Sequence, residues 1–365
     1  MHIDSECYLW DRVSDRVGVR SLVPWVHPET AKLIPCEEEQ FNQSLLKLGK
    51  DGYLGSASAF QLIHVFAFLR RPLSVLILLD GGVDISAKTD IGANLLHVAA
   101  SGGDEELVRV LLERGFEANA KVAYGRQLTS LMLASRMGHV AVLSVLAESE
   151  IVVNAIDRDG NTALLHSAAR GQLQVVQFLL EKGAKTQARN SQGWTALHYA
   201  AEGGHAQVIL KLLAYGAEVD AVDDEGYSSL FRAVVNEQKE AARILLQHRA
   251  NLDLKTADGW TVVGAAITEG KVEMVEMLAK CDFDATASVE PGGRAAMKLA
   301  NDRGMMKIAN ILSESARSRG KANKVSNGNG GNAGMGTGKV LETSSSPNAR
   351  MKLKRFSILS RNRGP

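Results

Sequence analysis

The sequence has few aromatic residues, 5% of 365, and only seven prolines and three cysteines. Cys7, Cys36 and Cys281 are odd in number, far apart, and form no CxxC pair. That excludes a disulfide framework and points to a reducing compartment. Long apolar runs are also missing. The most hydrophobic stretch, AFQLIHVFAFLRRPLSVLILL, is broken by Arg70, Arg71 and Pro72, and neither side is long enough to span a bilayer. The opening MHIDSEC has neither the basic nor the apolar segment of a secretory leader. These absences predict a cytoplasmic or nuclear chain, or one found in both, with no transmembrane segment.

What is abundant is small and aliphatic. Hydrophobic residues make up 45%, rich in Ala, Leu and Val, which suits closely spaced helices. The net charge of +1 is unevenly spread. From Ser313 onward eleven Lys and Arg face Glu314 and Glu342, a net +9, which leaves −8 for the preceding residues. An acidic body carries a basic tail.

Residues 193–205 read GWTALHYAAEGGH. His198, Glu202 and His205 lie at i, i+4 and i+7, so one helix face would offer two imidazoles and a carboxylate to a metal. The rest of the chain argues otherwise. The pattern's hydrophobic anchor recurs as Ile63, Leu96, Leu131, Leu164, Leu197, Leu230, Val263 and Met297, at intervals of 33, 35, 33, 33, 33, 33 and 34. The position after it holds His64, His97 and His198, but also Met132, Leu165, Phe231, Gly264 and Lys298. A polar residue that follows a repeat in this way is expected to bond backbone groups of its own or the next unit, so no metal is expected.

Each unit has one grammar. A turn ends at Gly92, Gly160, Gly193, Gly226 or Gly259. A helix cap follows at Asn94, Thr129, Thr162, Thr195, Ser228 or Thr261. A short Ala-rich helix comes next, then a second helix with an apolar stripe such as Val175, Val176, Phe178, Leu179 and Leu180. Glycines 82, 115, 183 and 216 end the second helices, with Glu150 and Arg249 standing in that place in two units. Unit eight has Ala295 at the cap. Unit three is longer by two residues, which predicts a further-protruding turn over KVAYGRQ, Lys121 to Gln127.

A 33-residue unit of turn plus two helices, with TxLHxAA opening the first helix, resembles the ankyrin repeat. TALLHSAARGQ and TALHYAAEGGH are nearest to it, and eight units are counted. No unit keeps the family's Pro after the cap. The resemblance implies an all-α repeat solenoid of stacked helix pairs with hairpin fingers, spanning residues 58–316. Residues 1–57 are expected to be a partly ordered segment that caps the first unit, with Phe41, Leu45 and Leu48 on one helix face. Residues 317–365 are expected to be a disordered Gly/Ser/Asn-rich basic tail.

No catalytic arrangement is found. SNGNGGNAGMGTGK fails as a phosphate loop, because Ala333 and Val340 stand where Gly and Ser or Thr are needed and no strand precedes it. Asp157 with Asp159, and Asp223 with Asp224 and Glu225, read as solvated turn residues. The basic tail, with Ser357 beside Lys354 and Arg355, suits three roles: none, nuclear import or nucleic-acid contact, or an anionic membrane surface.

The resemblance further implies a non-enzymatic scaffold or adaptor that grips a partner protein on its fingered concave face. No cofactor, small-molecule substrate or sequence-specific DNA contact is expected. A nuclear transcriptional coregulator is the alternative. Family contact positions fall on Asn161, Arg170, Trp194, Glu202, Tyr227 and Trp260. Among them Trp194, Tyr227 and Trp260 form a ladder at 33-residue spacing, expected to be either partner anchors or finger-to-finger packing.

Overall fold

The computed structural model describes residues 63–326 except 65, 68–69, 71, 81–87, 90–91 and 282–287, with the backbone alone for 318–326. The expectations for residues 1–57, for the cap built on Phe41, and for the tail beyond 326 with Ser357 lie outside the described residues. The chain divides into two compact units, up to Ser191 and from Gln192.

The first unit holds α1 (Pro72–Asp80), α2 (Leu95–Gly102), α3 (Glu105–Glu113), α4 (Ser130–Met137), α5 (Val140–Leu146), α6 (Ala163–Ala169) and α7 (Leu173–Glu181). First helices pack side by side, α2 on α4 and α4 on α6, and second helices do the same, α3 on α5 and α5 on α7. The repeat anchors Leu96, Leu131 and Leu164 are all buried between them, as are Leu107, Leu111, Leu143 and Leu179.

The second unit repeats the scheme with α8 (Ala196–Gly203), α9 (Ala206–Ala214), α10 (Ser229–Val235), α11 (Lys239–Gln247), α12 (Val262–Thr268), α13 (Val272–Ala279), α14 (Ala296–Asp302) and α15 (Met306–Ser326). Leu197, Leu230 and Val263 are its buried anchors, while Met297 of the terminal repeat is only half-buried. Helix α15 passes the boundary expected at residue 316 and runs to Ser326. Its last part has Ala316, Lys321, Ala322 and Lys324 and no Pro, and the helix continues through Gly320. Each unit is thus an all-α stack. The β features among the described residues are single bridges at finger bases, Lys121 to Thr129, Val222 to Ser228 and Ser288 to Ala295.

First helices begin where the caps predict. The side-chain oxygens of Asn94, Thr129, Thr162, Ser228 and Thr261 accept the N–H three residues on. Ala295 makes no such bond. The longer third finger leaves Tyr124 66% exposed at its tip.

Among the described residues, four non-glycine residues have positive φ: Arg70, Gln127, Glu237 and Arg249. All four occupy places where neighbouring repeats carry Gly with positive φ, such as Gly103, Gly92, Gly204 and Gly216. The stack dictates the turn, and a residue with a Cβ must take it at a cost of roughly 1–2 kcal/mol. Arg249→Gly is therefore expected to raise stability by about 1 kcal/mol in denaturant unfolding. Gly183→Ala, where φ is +84° and the space is open, is expected to cost about 1 kcal/mol. Gly160→Ala is expected to cost more, about 3 kcal/mol, because its Cβ would stand 2.9 Å from the Ser191 nitrogen of the next finger. Equal losses at positions 160 and 183 would refute the backbone-contact account.

Candidate functional site

Several fingers are built around one polar side chain, buried at Asp157, Asp223 and Thr256 and half-buried at Thr89. Asp157 accepts the N–H groups of Asp159 and Asn161 on Oδ1, at 2.9 and 2.7 Å. Asp223 does the same for Glu225 and Tyr227, at 3.1 and 2.8 Å. Thr256 accepts from Trp260 in the same register, and Thr89 from Ala93. Asp157 and Asp223 are 3% and 4% exposed, which corrects their reading as solvated turn residues. Asp159, Asp224 and Glu225 do face solvent.

A buried carboxylate needs a donor or cation beside it. His166 Nε2 lies 2.9 Å from Asp157 Oδ2, and Arg232 donates to Asp223 Oδ2 at 2.5 Å. Both partners sit nine residues after their acid. Burial alone would raise the Asp157 carboxyl, but His166 and the Asn161 donors outweigh it and hold the group below the usual range. The signal for these pairs was present as two Asp and two basic residues in matching repeat positions, but spacing did not reveal the burial.

Neighbouring fingers are joined by backbone bonds. In the first unit Arg158 N–H donates to Arg126 O at 2.8 Å and Ser191 N–H to Asp159 O at 2.9 Å. In the second, Asp224 donates to Gln192 at 3.2 Å and Ala257 to Glu225 at 2.9 Å. Finger spacing is therefore set by the main chain.

The histidines serve the same scaffold. His198 Nδ1 meets the Thr195 hydroxyl at 2.9 Å and Nε2 meets Tyr227 O at 3.0 Å, so both ring nitrogens are engaged. His97 joins Asn94 and Ala120 O in the same manner, at 2.5 and 2.9 Å. In the repeat that has Gly264 in this place, an added Cβ would stand 1.9 Å from Val289 O, so a backbone carbonyl fills the site of the ring. The later polar position links successive first helices. His139 Nε2 reaches Ser101 O at 3.0 Å, and Lys271 reaches Val235 O. Among the described residues no three His, Cys, Asp or Glu converge as metal ligands.

The aromatic ladder differs from a row of exposed anchors. Tyr227 and Trp260 are 8% and 6% exposed, and Asn161 is buried against Asp157 and Asn190. Each of these three side chains lies within the finger packing, the second of the two arrangements expected for the ladder. Trp194 is half-buried. Its ring and that of Tyr227 lie 4.2 and 4.5 Å from the Arg232 guanidinium carbon, a cation–π contact on both rings. Arg170 is exposed at the end of α6, and Glu202 is half-exposed in the last turn of α8.

Charge on the fingers and first-helix ends differs between the units. The first presents Arg126, Arg136, Arg158 and Arg170, with Asp159 as the exposed acid, 3.5 Å from Arg126. The second presents Glu202, Asp224, Glu225, Glu237, Asp258 and Glu269, with Lys271 within 3.3 Å of Glu237 and 3.1 Å of Glu269. A groove of about 410 Å³ between Arg70, Pro72, Asp104, Glu105, Glu106 and Arg109 holds charged groups and no nucleophile.

Stacked helix pairs with hydrogen-bonded turn fingers define a helical-repeat protein. The family model described as ankyrin repeats (3 copies) matches residues 63–157, 96–190, 150–223, 186–256 and 230–323, and the chain belongs to the ankyrin-repeat family. Repeats of this family form protein–protein interaction domains. The chain is 34% identical over 85 residues to the E3 ubiquitin-protein ligase Ufd4 of Drosophila melanogaster, covering 23% of this chain and 3% of that protein. It is 39% identical over 82 residues to alpha-latrotoxin-Lg1a of Latrodectus geometricus, covering 22% and 6%. It is 32% identical over 95 residues to the human ankyrin repeat and KH domain-containing protein 1, covering 26% and 4%. The chain thus spans a small fraction of these relatives. No helix among the described residues is long and apolar enough to cross a membrane.

Two expectations follow. Trp260→Ala removes a buried aromatic and is expected to cost about 3 kcal/mol of stability, read by thermal or denaturant unfolding. A fully folded variant with unchanged midpoint would mean that the ring is not part of the packing. Burial lowers the His97 imidazole from 6.5 to about 4, against the pull of its bonds to Ala120 and Leu128. The unfolded chain then takes up the proton first, so stability is complete above about pH 6.5 and falls as pH drops towards 4. Between about pH 7 and 5 the loss due to His97 is expected to be roughly 2 kcal/mol. His97→Gln is expected to flatten that slope, and an unchanged slope would refute the assignment.

Proposed function

We propose that the chain is a non-enzymatic scaffold or adaptor that holds a partner protein against its fingers and first-helix ends. The observation that carries this reading is the rigid, solvent-facing row of side chains in each unit, held at fixed spacing by backbone bonds between fingers. Arg170 in the first unit, and Trp194 and Glu202 in the second, are the contact residues of this reading. The protein needs no cofactor or small-molecule substrate for the role, which belongs to the cytoplasm, the nucleus or both. A transcriptional coregulator is the second reading, favoured by the net +9 of the residues after Leu312.

The test is affinity capture with the full chain. Glu202→Lys combined with Asp224→Lys changes the exposed row of the second unit at small cost to folding, within about 0.5 kcal/mol per site. Arg243→Ala on the outer helix α11 is the control. Loss of captured protein with the double variant, and retention with the control, is the expected result. Capture that depends on the outer helix and ignores the double variant would overturn the reading. Truncation after Ser326 separates the second reading, because the coregulator role requires nuclear accumulation to fall.

A further inference from the structure

The geometry points to a lysine-binding site in the first unit: the groove beside Asp104 takes one lysine side chain of the partner protein. This deepens the interaction reading above and rests on it. The groove, about 410 Å³, lies between the residues that open α1, Arg70 and Pro72, and those that open α3, Asp104, Glu105, Glu106 and Arg109. Asp104 is 5% exposed. Its Oδ1 caps α3 by accepting the Leu107 N–H at 3.0 Å. Its Oδ2 is buried and has no hydrogen-bond partner among the described residues. A buried carboxylate oxygen in that state needs a donor, and the groove is where one can arrive.

Other repeats show what occupies this place. The residue after the positive-φ glycine that follows the first helix is Asp104 here, His139 after Gly138, and Lys271 after Gly270. His139 Nε2 reaches Ser101 O at 3.0 Å. Lys271 donates to Val235 O of the preceding repeat, with Glu237 at 3.3 Å and Glu269 at 3.1 Å. An ionised carboxylate cannot donate, so Asp104 can form no such link. In the seventh repeat the chain's own ammonium thus sits among carboxylates. In the second repeat Asp104, Glu105 and Glu106 supply the carboxylates, and no lysine lines the groove.

Charge and geometry favour an ammonium. Arg109 is held to Glu148 by two bonds of 2.5 and 3.3 Å and stands 3.8 Å from Glu105, so it is committed to acids other than Asp104. With Glu148 included, four carboxylates face Arg70 and Arg109, a net −2. The positive end of α3, about half a charge, does not offset that. A guanidinium grips both oxygens of a carboxylate in parallel, and Oδ1 of Asp104 is already taken. An ammonium is a compact donor of three bonds, which suits one buried oxygen with the exposed Glu105 and Glu106 beside it.

The test titrates the isotopically labelled full chain at low salt with a short Gly/Ser peptide carrying one lysine, followed by amide NMR. Acetyl-lysine, arginine and glutamate counterparts are the parallel probes. The lysine peptide is expected to move the amide signals of Gly103, Asp104 and Leu107. Its affinity is expected to fall about tenfold in Asp104→Asn, which keeps a capping oxygen, and about twofold in Glu106→Gln. Glu113→Gln, at the far end of α3, removes the same charge and is expected to bind as the parent does. If the unfolding midpoint of Asp104→Asn drops, the exposed Glu106→Gln carries the readout. Equal binding of the acetyl-lysine peptide, tighter binding of the arginine or glutamate peptide, shifts that miss α3, or equal losses in Glu106→Gln and Glu113→Gln would each overturn the inference. If a captured partner still depends on Glu202 and Asp224 while the lysine peptide fails, the scaffold reading stands and the lysine-site inference alone falls.

Discussion

A helix pair of this length has two apolar faces, and it can bury only one of them within itself. Leu164 and Leu179 lie in one pair, yet their full burial needs the pair before or after. That constraint governs each unit. It demands neighbours of similar shape, and so a period near 33 residues, recurring turns, and caps in fixed places. A change in one repeat is then felt at its borders and little further.

The same constraint explains the polar interior. Once neighbouring fingers close over the turn, Asp157 and Asp223 lose water, and their free oxygens need partners from the following helix. One repeat supplies an imidazole, the other a guanidinium, at the same nine-residue offset. The guanidinium also receives two aromatic rings, which makes the finger of Tyr227 a packed element rather than an open one. Interchangeable partners at one place show that the fold requires a donor there and leaves its identity open. Side chains just outside this ring of bonds, such as Arg158 and Asp224, are exposed and vary in sign between the units.

Much of the fold was legible. The anchors, caps and turn glycines sit within a few residues of each other in sequence, so their pattern reports local geometry directly. The candidate site was less legible. Arg170, Trp194 and Glu202 keep solvent-facing surface, whereas Asn161, Tyr227 and Trp260 do not, although all six occupy places the family uses for contact. The buried Asp157 and its histidine were hidden because an acidic turn reads the same whether or not another turn covers it. The four left-handed non-glycine residues were hidden for a related reason. Arg249 looks like a failure of the repeat until the backbone shows that the turn persists without its glycine.

By itself the sequence determined the period, the helix starts, the family and the charge imbalance, because each depends on residues adjacent in the chain or on simple composition. Tertiary structure alone decided which finger side chains keep solvent-facing surface and which pack within the fingers. An aromatic ring after a turn glycine has the same local neighbours in either case. Its fate depends on whether the following repeat brings an Arg232 or a backbone carbonyl to within contact distance, and that proximity exists only once the units have stacked.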